Sequence, residues 1–298
     1  MTPSGQQCHH FITPHALQVC EAEDDAEWRQ PQSALTTAEL LQREWERGKF
    51  PSPLFSVFGV FNHLFKIDWL HCADQGVASD YLGNLFKHVV DNKRVPGTTK
   101  AARCDFIGGR ICKFYEDGDV QDKLKSFAEK TFSSEKKRKL PPKLKGNAAT
   151  TRALVPFGKS FAQEFLDEAD EKEGAIIEAG KHLGNCYDSL RMVNQAFAKD
   201  ALYESSKRFA LQYGALHKAS GGKAAWRPMP KMHMFLELCM EGTEPNKFWC
   251  YRDEDFGGSF SRQSKMKGSW KKLSTFCKHA LDLFRMKNGA PRICKVTL

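Results

Sequence analysis

Two acidic residues that lie far apart in the sequence each stand at the edge of an apolar run. Asp68 belongs to the segment Ile67–His71, and Glu254 belongs to the segment Trp249–Gly258. Carboxylate oxygens are the ligands that Mg²⁺ prefers, and paired Mg²⁺ ions catalyse phosphodiester displacement. A fold that unites the two acids would make them metal ligands and catalytic residues. We expect their side chains to lie within about 10 Å of each other.

Both acids also have a plain structural interpretation, which the residues leave open. Asp68 precedes a helical pattern, where aspartate commonly serves as an N-cap. Glu254 is also explained as an exposed acid near the positive end of a helix dipole. His71 falls in the first turn after Asp68, where it could orient that carboxylate or contact a phosphate.

The charge of the chain favours a polyanionic partner. Its 298 residues contain 45 Lys+Arg and 36 Asp+Glu, giving a net charge of +9. Nucleic acid is the commonest such partner, although a solvated basic linker or an unspecialised basic protein gives the same composition. A short basic run also fits a nuclear-import patch. The predicted DNA-contacting residues are Lys136, Lys137, Arg138, Lys139, Lys143, Lys145, Lys271 and Lys272.

Several protein classes are disfavoured by the sequence. It contains no apolar run of membrane-spanning length and no basic-then-apolar start typical of a secretory signal, so we expect no membrane partner. The ten cysteines have no C-x-x-C spacing, which favours reduced thiols. We therefore expect a nuclear or cytoplasmic protein. No glycine-rich phosphate loop, G-x-S-x-G elbow or H-E-x-x-H motif is present.

The elements around the acids are predicted from periodicity. Thr36 and Glu39 form a capping box that starts a helix, and Gly48 ends it. Residues 54–67 alternate as in a strand and precede a helix that reaches about Val90. Residues 91–116 are mixed in pattern, and we expect a short irregular segment within them. A helix from Asp119 to Phe132 comes next.

The second half of the chain has a mainly helical pattern. Residues 133–146 form a basic, proline-containing linker, and two or three helices follow within residues 157–218. A short apolar helix covers Lys231–Met240, and a basic helix covers residues 271–286. The chain is therefore predicted to be mostly α with a small β component.

Three motifs in fixed order resemble a known family. They are Asp68-x-x-His71, Lys231-x-His233-x-x-x-Glu237-Leu238 and Trp249-x-Tyr251-x-x-Glu254-x-Phe256-x-Gly258. This order resembles the C-terminal two-thirds of cut-and-paste transposases of the CACTA (En/Spm-type) and Kyakuja-Dileera-Zisupton groups. The resemblance covers about residues 36–285.

The resemblance implies a partial RNase H-like α/β core with a large helical insertion. It implies a two-metal DDE site in which Asp68 is the second acid, Glu254 the third, and Mg²⁺ the cofactor. Composition predicts a loosely ordered leader (1–35) and a basic linker (133–146). With the resemblance, the expected organisation adds a first core part (36–132), a helical insertion (147–225) and a C-terminal core part (226–298).

This chain departs from the family pattern at three places. Trp69 and Leu70 stand where the family has Pro and Met, and Asp255 stands where it usually has Arg. The short segment before Asp68 has no strand that could carry the family's first catalytic Asp. We therefore expect a truncated or domesticated, transposase-derived DNA-binding protein with little or no catalysis. The alternatives are a metal-dependent nuclease completed by a partner chain or a second copy, and a non-catalytic helical interaction protein.

Overall fold

The structure is a computed structural model that describes most of the chain up to residue 251. The chain divides into two units, residues 1–248 and residues 249–298. The described residues are 36–48, 53–58, 60–61, 64–132, 140–190, 197–221, 224–247 and 249–251, with single positions 254, 257, 258, 261, 278, 282, 285 and 286. The predicted leader, 1–35, lies outside them. The predicted borders after residues 35, 132, 146 and 225 fall within the first unit and stay predictions.

Regular secondary structure in the described ranges is helical throughout, so the predicted mostly α class is confirmed. The elements are α1 (Thr37–Glu46), a 3₁₀ turn (Pro53–Ser56), a π-helix (Leu70–Ala78), α2 (Ser79–Asp91), α3 (Lys100–Asp117), α4 (Glu129–Phe132), α5 (Ala148–Phe165), α6 (Glu171–Ser189), α7 (Lys199–Ala219), α8 (Pro230–Glu241) and a second 3₁₀ turn (Pro245–Lys247).

The strand predicted over residues 54–67 is wrong. Among its described residues, the N–H groups of Val57, Val60 and Leu64 instead donate to carbonyls three residues back at 3.0–3.1 Å. A strand would instead present these groups to a neighbouring strand. Phe58 is fully exposed, so the alternation does not mark a buried face. The predicted small β component therefore has no strand among the described residues.

The first predicted helix is confirmed as α1, including its capping box. The hydroxyl of Thr36 accepts the N–H of Glu39 at 3.3 Å, and the Glu39 carboxylate accepts the N–H of Thr36 at 2.7 Å. Two orphan N–H groups are thus satisfied reciprocally. Gly48 follows the helix with a φ of 68°, a left-handed conformation that glycine adopts without a Cβ penalty.

Helix α3 occupies the stretch that the sequence suggested was irregular. Thr99 caps it by accepting the N–H of Ala102 at 3.1 Å. Arg103, Ile107 and Ile111 are buried at a spacing of four residues, which brings them onto one face. The adjacent glycines at 108 and 109 obscured this pattern because glycine disfavours helix interiors.

The helix predicted from Asp119 to Phe132 is also wrong, apart from its last turn. Asp119 has a φ of 45°, whereas an N-cap needs extended backbone. Asp119 instead lies just beyond the C-terminus of α3, and helical structure resumes in α4. The later predictions fare better, since α5, α6 and α7 cover the predicted helical region and α8 matches the predicted apolar helix. In the predicted basic helix, the described positions 278, 282, 285 and 286 are helical.

Phenylalanines hold α2 against the segments that precede and follow the basic linker. The ring of Phe86 on α2 is fully buried, and its centroid lies 5.1 Å from Phe127, 6.4 Å from Phe132 and 6.2 Å from Phe161. Aromatic pairs at these distances add to the stability gained from buried area. Helix α2 is therefore a central element of the first unit.

Glu173 is a buried junction between α2 and α6. One carboxylate oxygen lies 2.7 Å from Nε2 of His88 and 2.8 Å from Nε of Arg94, and the other accepts the N–H of Asp167 at 3.0 Å. Burial alone would raise the pKa of Glu173, but these hydrogen bonds outweigh it and hold the pKa below its ordinary value. The carboxylate thus fixes the start of α6 against the end of α2.

Among the described residues, no helix combines the length and hydropathy needed to cross a membrane.

Candidate nucleic-acid interface

Asp68 caps the helical segment that begins at Trp69. Its Oδ2 atom accepts the backbone N–H of His71 at 2.9 Å and lies 2.7 Å from Nδ1 of the same histidine. The carbonyl of Asp68 accepts the N–H of Cys72 at 3.1 Å. The aspartate side chain is 19% exposed and His71 is 47% exposed. Asp68 thereby orients the His71 ring. The sequence analysis suggested the converse, that His71 orients the Asp68 carboxylate.

Trp69 belongs to the core. It is fully buried, and its ring centroid lies 5.4 Å from Tyr187 on α6 and 5.6 Å from Phe235 on α8. Both contacts have edge-to-face geometry, which the ring quadrupoles favour. Trp69 therefore fixes the start of the π-helix against two later helices.

Two of the three motifs behind the family resemblance lie side by side in the first unit. The π-helix packs along α8. At one end Lys66 forms an ion pair with Glu241, and at the other Nζ of Lys231 lies 3.5 Å from the carbonyl oxygen of Gln75. The two segments thus run antiparallel. This arrangement joins residues that are far apart in the sequence.

His233 and Glu237 of the middle motif point into the body of the unit. Nε2 of His233 lies 3.5 Å from Oε2 of Glu237, one helical turn away, and the two side chains are 9% and 4% exposed. At this burial, neither side chain can reach a DNA backbone without a rearrangement of α8.

Glu254 lies in the second unit and is exposed. Its backbone N–H donates to the carbonyl of Cys250 at 2.8 Å, which places it on a helical turn. In the same unit the rings of Trp249 and Tyr251 meet edge to face with centroids 5.4 Å apart. The approach of Asp68 to Glu254 would join the two units and stays a prediction.

Asp68 is the predicted Mg²⁺ ligand that lies in the described part of the first unit. Asp68 offers a carboxylate, but its Oδ2 atom is already engaged by His71. No group of three His, Cys, Asp or Glu ligand atoms in the described part of this unit lies close enough to hold one ion. Mg²⁺ requires near-octahedral oxygen coordination. Magnesium binding by Asp68 and Glu254 therefore stays a prediction that rests on the resemblance.

Two of the predicted DNA-contacting lysines are described, and they lie where the basic linker rejoins the body. The N–H of Lys143 donates to the carbonyl of Phe132 at 3.0 Å, and the N–H of Lys145 donates to that of Thr131 at 2.7 Å. Both lysine side chains are exposed. The other six predicted residues, Lys136, Lys137, Arg138, Lys139, Lys271 and Lys272, lie outside the described residues.

Helix α2 holds the segment around Lys143 in place. A Cβ at Gly83 would lie 2.5 Å from the backbone of Lys143, so glycine permits this close approach. The next residue, Asn84, donates to the carbonyl of Pro142 at 3.3 Å and to the hydroxyl of Tyr213 at 3.1 Å. Its amide oxygen accepts the N–H of Trp226 at 2.9 Å. Asn84 therefore joins α2, the basic segment, α7 and the loop before α8.

The structure places three further residues close to Lys143, namely Gln75, Asp80 and Lys231. The sequence analysis did not assign them to this region. Nζ of Lys143 lies 2.5 Å from the carbonyl oxygen of Gln75 and 3.6 Å from Oδ1 of Asp80, and Lys231 approaches the same carbonyl. Burial raises the pKa of Asp80 to about 6, against the opposing effect of Lys143. Burial and the charge of Lys143 lower the pKa of Lys231. Positions 75, 80, 143 and 231 share no local spacing that could have marked them.

Comparisons with known proteins give no relative. No protein-family model matches the chain, and neither a curated protein nor a solved structure is significantly similar to it.

Proposed function

We propose that this chain is a transposase-derived DNA-binding protein that contacts phosphates through its basic linker and has little or no catalytic activity. The observation that carries the proposal is the pair of backbone hydrogen bonds that anchors Lys143 and Lys145 beside α4. These bonds join Lys143 to Phe132 and Lys145 to Thr131. Between Phe132 and Lys143, the sequence carries four basic residues: Lys136, Lys137, Arg138 and Lys139. In the proposal, the charges of this run add to those of the exposed Lys143 and Lys145 that follow it in the sequence.

The transposase descent rests on two short motifs, around Asp68 and around Glu254, and on their order and separation. Its support is the side-by-side packing of the π-helix, which follows Asp68, and α8, which carries the Lys231–Leu238 stretch that stands between the two motifs in the sequence. An RNase H-like core needs a central sheet, and the described residues contain no strand. The RNase H-like part of the resemblance therefore does not contribute to this proposal.

DNA binding is tested by fluorescence anisotropy of a labelled duplex titrated with the full chain at several KCl concentrations. We expect affinity to fall steeply with salt, because phosphate contacts release condensed counterions. Replacing Lys136, Lys137 and Arg138 by Gln removes three charges and should reduce the log–log slope by about 2–3 units.

The matched control removes three positive charges elsewhere. Lys181, Arg208 and Lys218 are exposed on α6 and α7, and their replacement by Gln should change the slope by less than about one unit. No binding of the wild-type chain at low salt would refute the proposal. An equal loss in both triple variants would refute the assignment to the basic linker.

Catalysis is tested separately by strand cleavage in the presence of Mg²⁺ or Mn²⁺. The proposal expects no cleavage above that seen without protein. Asp68→Asn and Glu254→Gln are suitable variants, since asparagine remains a good helix N-cap. Cleavage that both substitutions abolish would replace this proposal with the metal-dependent nuclease, completed by a second copy or by another transposase chain.

A further inference from the structure

Two lysine ammonium groups from distant parts of the chain converge on one carbonyl oxygen. Nζ of Lys143 lies 2.5 Å and Nζ of Lys231 lies 3.5 Å from the carbonyl oxygen of Gln75. The two nitrogens must therefore lie within about 6 Å of each other, a separation at which like charges repel appreciably. One carbonyl dipole cannot neutralise two charges.

A single carboxylate faces this pair in the described part of the first unit. Oδ1 of Asp80 lies 3.6 Å from Nζ of Lys143, and its side chain is 10% exposed. When all three side chains are ionised, the two lysines and Asp80 therefore carry a net positive charge. Lys143 is 45% exposed, so an anion from solution can reach its ammonium group.

The fold positions both lysines before any ligand arrives. Gly76 has a φ of −109° and a ψ of −107°, which interrupts the π-helix, and a Cβ there would lie 3.0 Å from the side chain of Lys231. The missing side chain leaves room for the aliphatic part of Lys231 to lie against the helix. Lys143 is fixed through the packing of its backbone on Gly83 and the hydrogen bond from Asn84 to Pro142.

We propose that Lys143 and Lys231 together bind one phosphate group. The Asp80 carboxylate competes with this anion for the ammonium group of Lys143. Two ammonium groups about 6 Å apart can both donate to the oxygens of one phosphate, and the added negative charge relieves their repulsion. Under the proposed function, on which this assignment of the source rests, the phosphate belongs to the DNA backbone. A free phosphate is the other source of the same chemistry.

The site itself is tested with inorganic phosphate. Thermal unfolding of the full chain is followed by circular dichroism in phosphate and in chloride at equal ionic strength. Phosphate stabilises folded proteins in general, so it should raise both melting temperatures, but by more in the wild type than in Lys231→Gln, which keeps two of the four methylenes of the stem. Lys218→Gln on α7 serves as the control and should respond like the wild type. Equal stabilisation of wild type and Lys231→Gln would overturn the proposal.

Asp80→Asn should strengthen phosphate binding, whereas Lys231→Gln should weaken it. A purely structural role of the lysines would not produce this gain. Removing the competing carboxylate should tighten phosphate binding by about three-fold or more. Weaker phosphate binding by Asp80→Asn would overturn the site. This variant also keeps the test decisive if Lys231→Gln fails to fold.

The source of the phosphate is decided with the labelled duplex. If DNA supplies it, Lys231→Gln should lower the slope of log affinity against log salt by about 0.9, the value for one lost phosphate contact. An unchanged slope together with phosphate-specific stabilisation assigns the site to a free phosphate. Absence of duplex binding by the wild-type protein refutes the proposed function, while the phosphate experiment still decides the site.

Discussion

Asp80→Asn should stabilise the protein at neutral pH. Burial raises the pKa of Asp80 from 3.8 to about 6, with Lys143 and Lys231 opposing the rise. A raised pKa means that the folded state favours the protonated acid. The associated stability is present below pH 3.8 and is lost as the pH rises through 6. The shift corresponds to about 3 kcal/mol of unfolding free energy.

Asparagine does not ionise, so the variant does not lose stability as the pH rises through this range. We expect its unfolding free energy to exceed that of the wild type by up to about 3 kcal/mol above pH 7 and by about half as much near pH 5. The two proteins should converge below the ordinary pKa of aspartate. Urea unfolding followed by circular dichroism across this pH range measures the difference. Tyr213 also faces Asp80, but burial raises its pKa well above this range.

Asp91 on the same helix provides a matched control of opposite sign. Burial would raise its pKa, but hydrogen bonds from Lys100 and Lys87 outweigh burial and lower it. Asp91→Asn should therefore lose stability above the ordinary pKa of aspartate, and the loss should fade as the pH falls. A gain in Asp80→Asn that does not vary with pH, or a loss at pH 8, would refute the reasoning.

Three further predictions concern the packing around α2. Glu173→Gln should cost about 1–3 kcal/mol by urea unfolding, because His88 and Arg94 lose their charged acceptor, and the cost should shrink as the pH falls below the ordinary pKa of glutamate. Asn84→Ala should cost about 1–3 kcal/mol, since the N–H of Trp226 loses its buried acceptor. Gly83→Ala should displace the segment around Lys143 and weaken duplex binding as well as lowering the melting temperature, whereas a loss of stability without a change in binding would contradict the role of that segment in DNA binding.

The helices with strong local signals could be predicted from the sequence. Thr36 and Glu39 satisfy each other within one turn, so no distant residue is needed to define that boundary. The run 54–67 failed because alternation predicts a strand only when a partner strand receives its backbone groups, and local turns receive them here. Tertiary burial of Ile107 and Ile111 overrides the glycines that made α3 look irregular.

The candidate site could be predicted only in part. Lys143 and Lys145 were identified because basic residues cluster in their local sequence. Lys231 and Asp80 were not identified as its partners, because their proximity to Lys143 is created by the packing of α2 and α8 and leaves no local spacing. Asp68 was identified as a capping residue or a metal ligand, and its contacts with His71 explain a cap without excluding the second role.

The packing of the π-helix against α8 has a consequence for how the chain reaches its native state. Residues 70–78 are synthesised long before residues 230–241, yet the late helix covers the early one. Contacts of such large sequence separation slow folding, because a long loop must close before they form. A nascent or truncated chain that ends before residue 230 therefore leaves the indole of Trp69 without its contact to Phe235. Exposed apolar surface of this kind makes incompletely synthesised chains prone to aggregate, and α8 covers it once it is made.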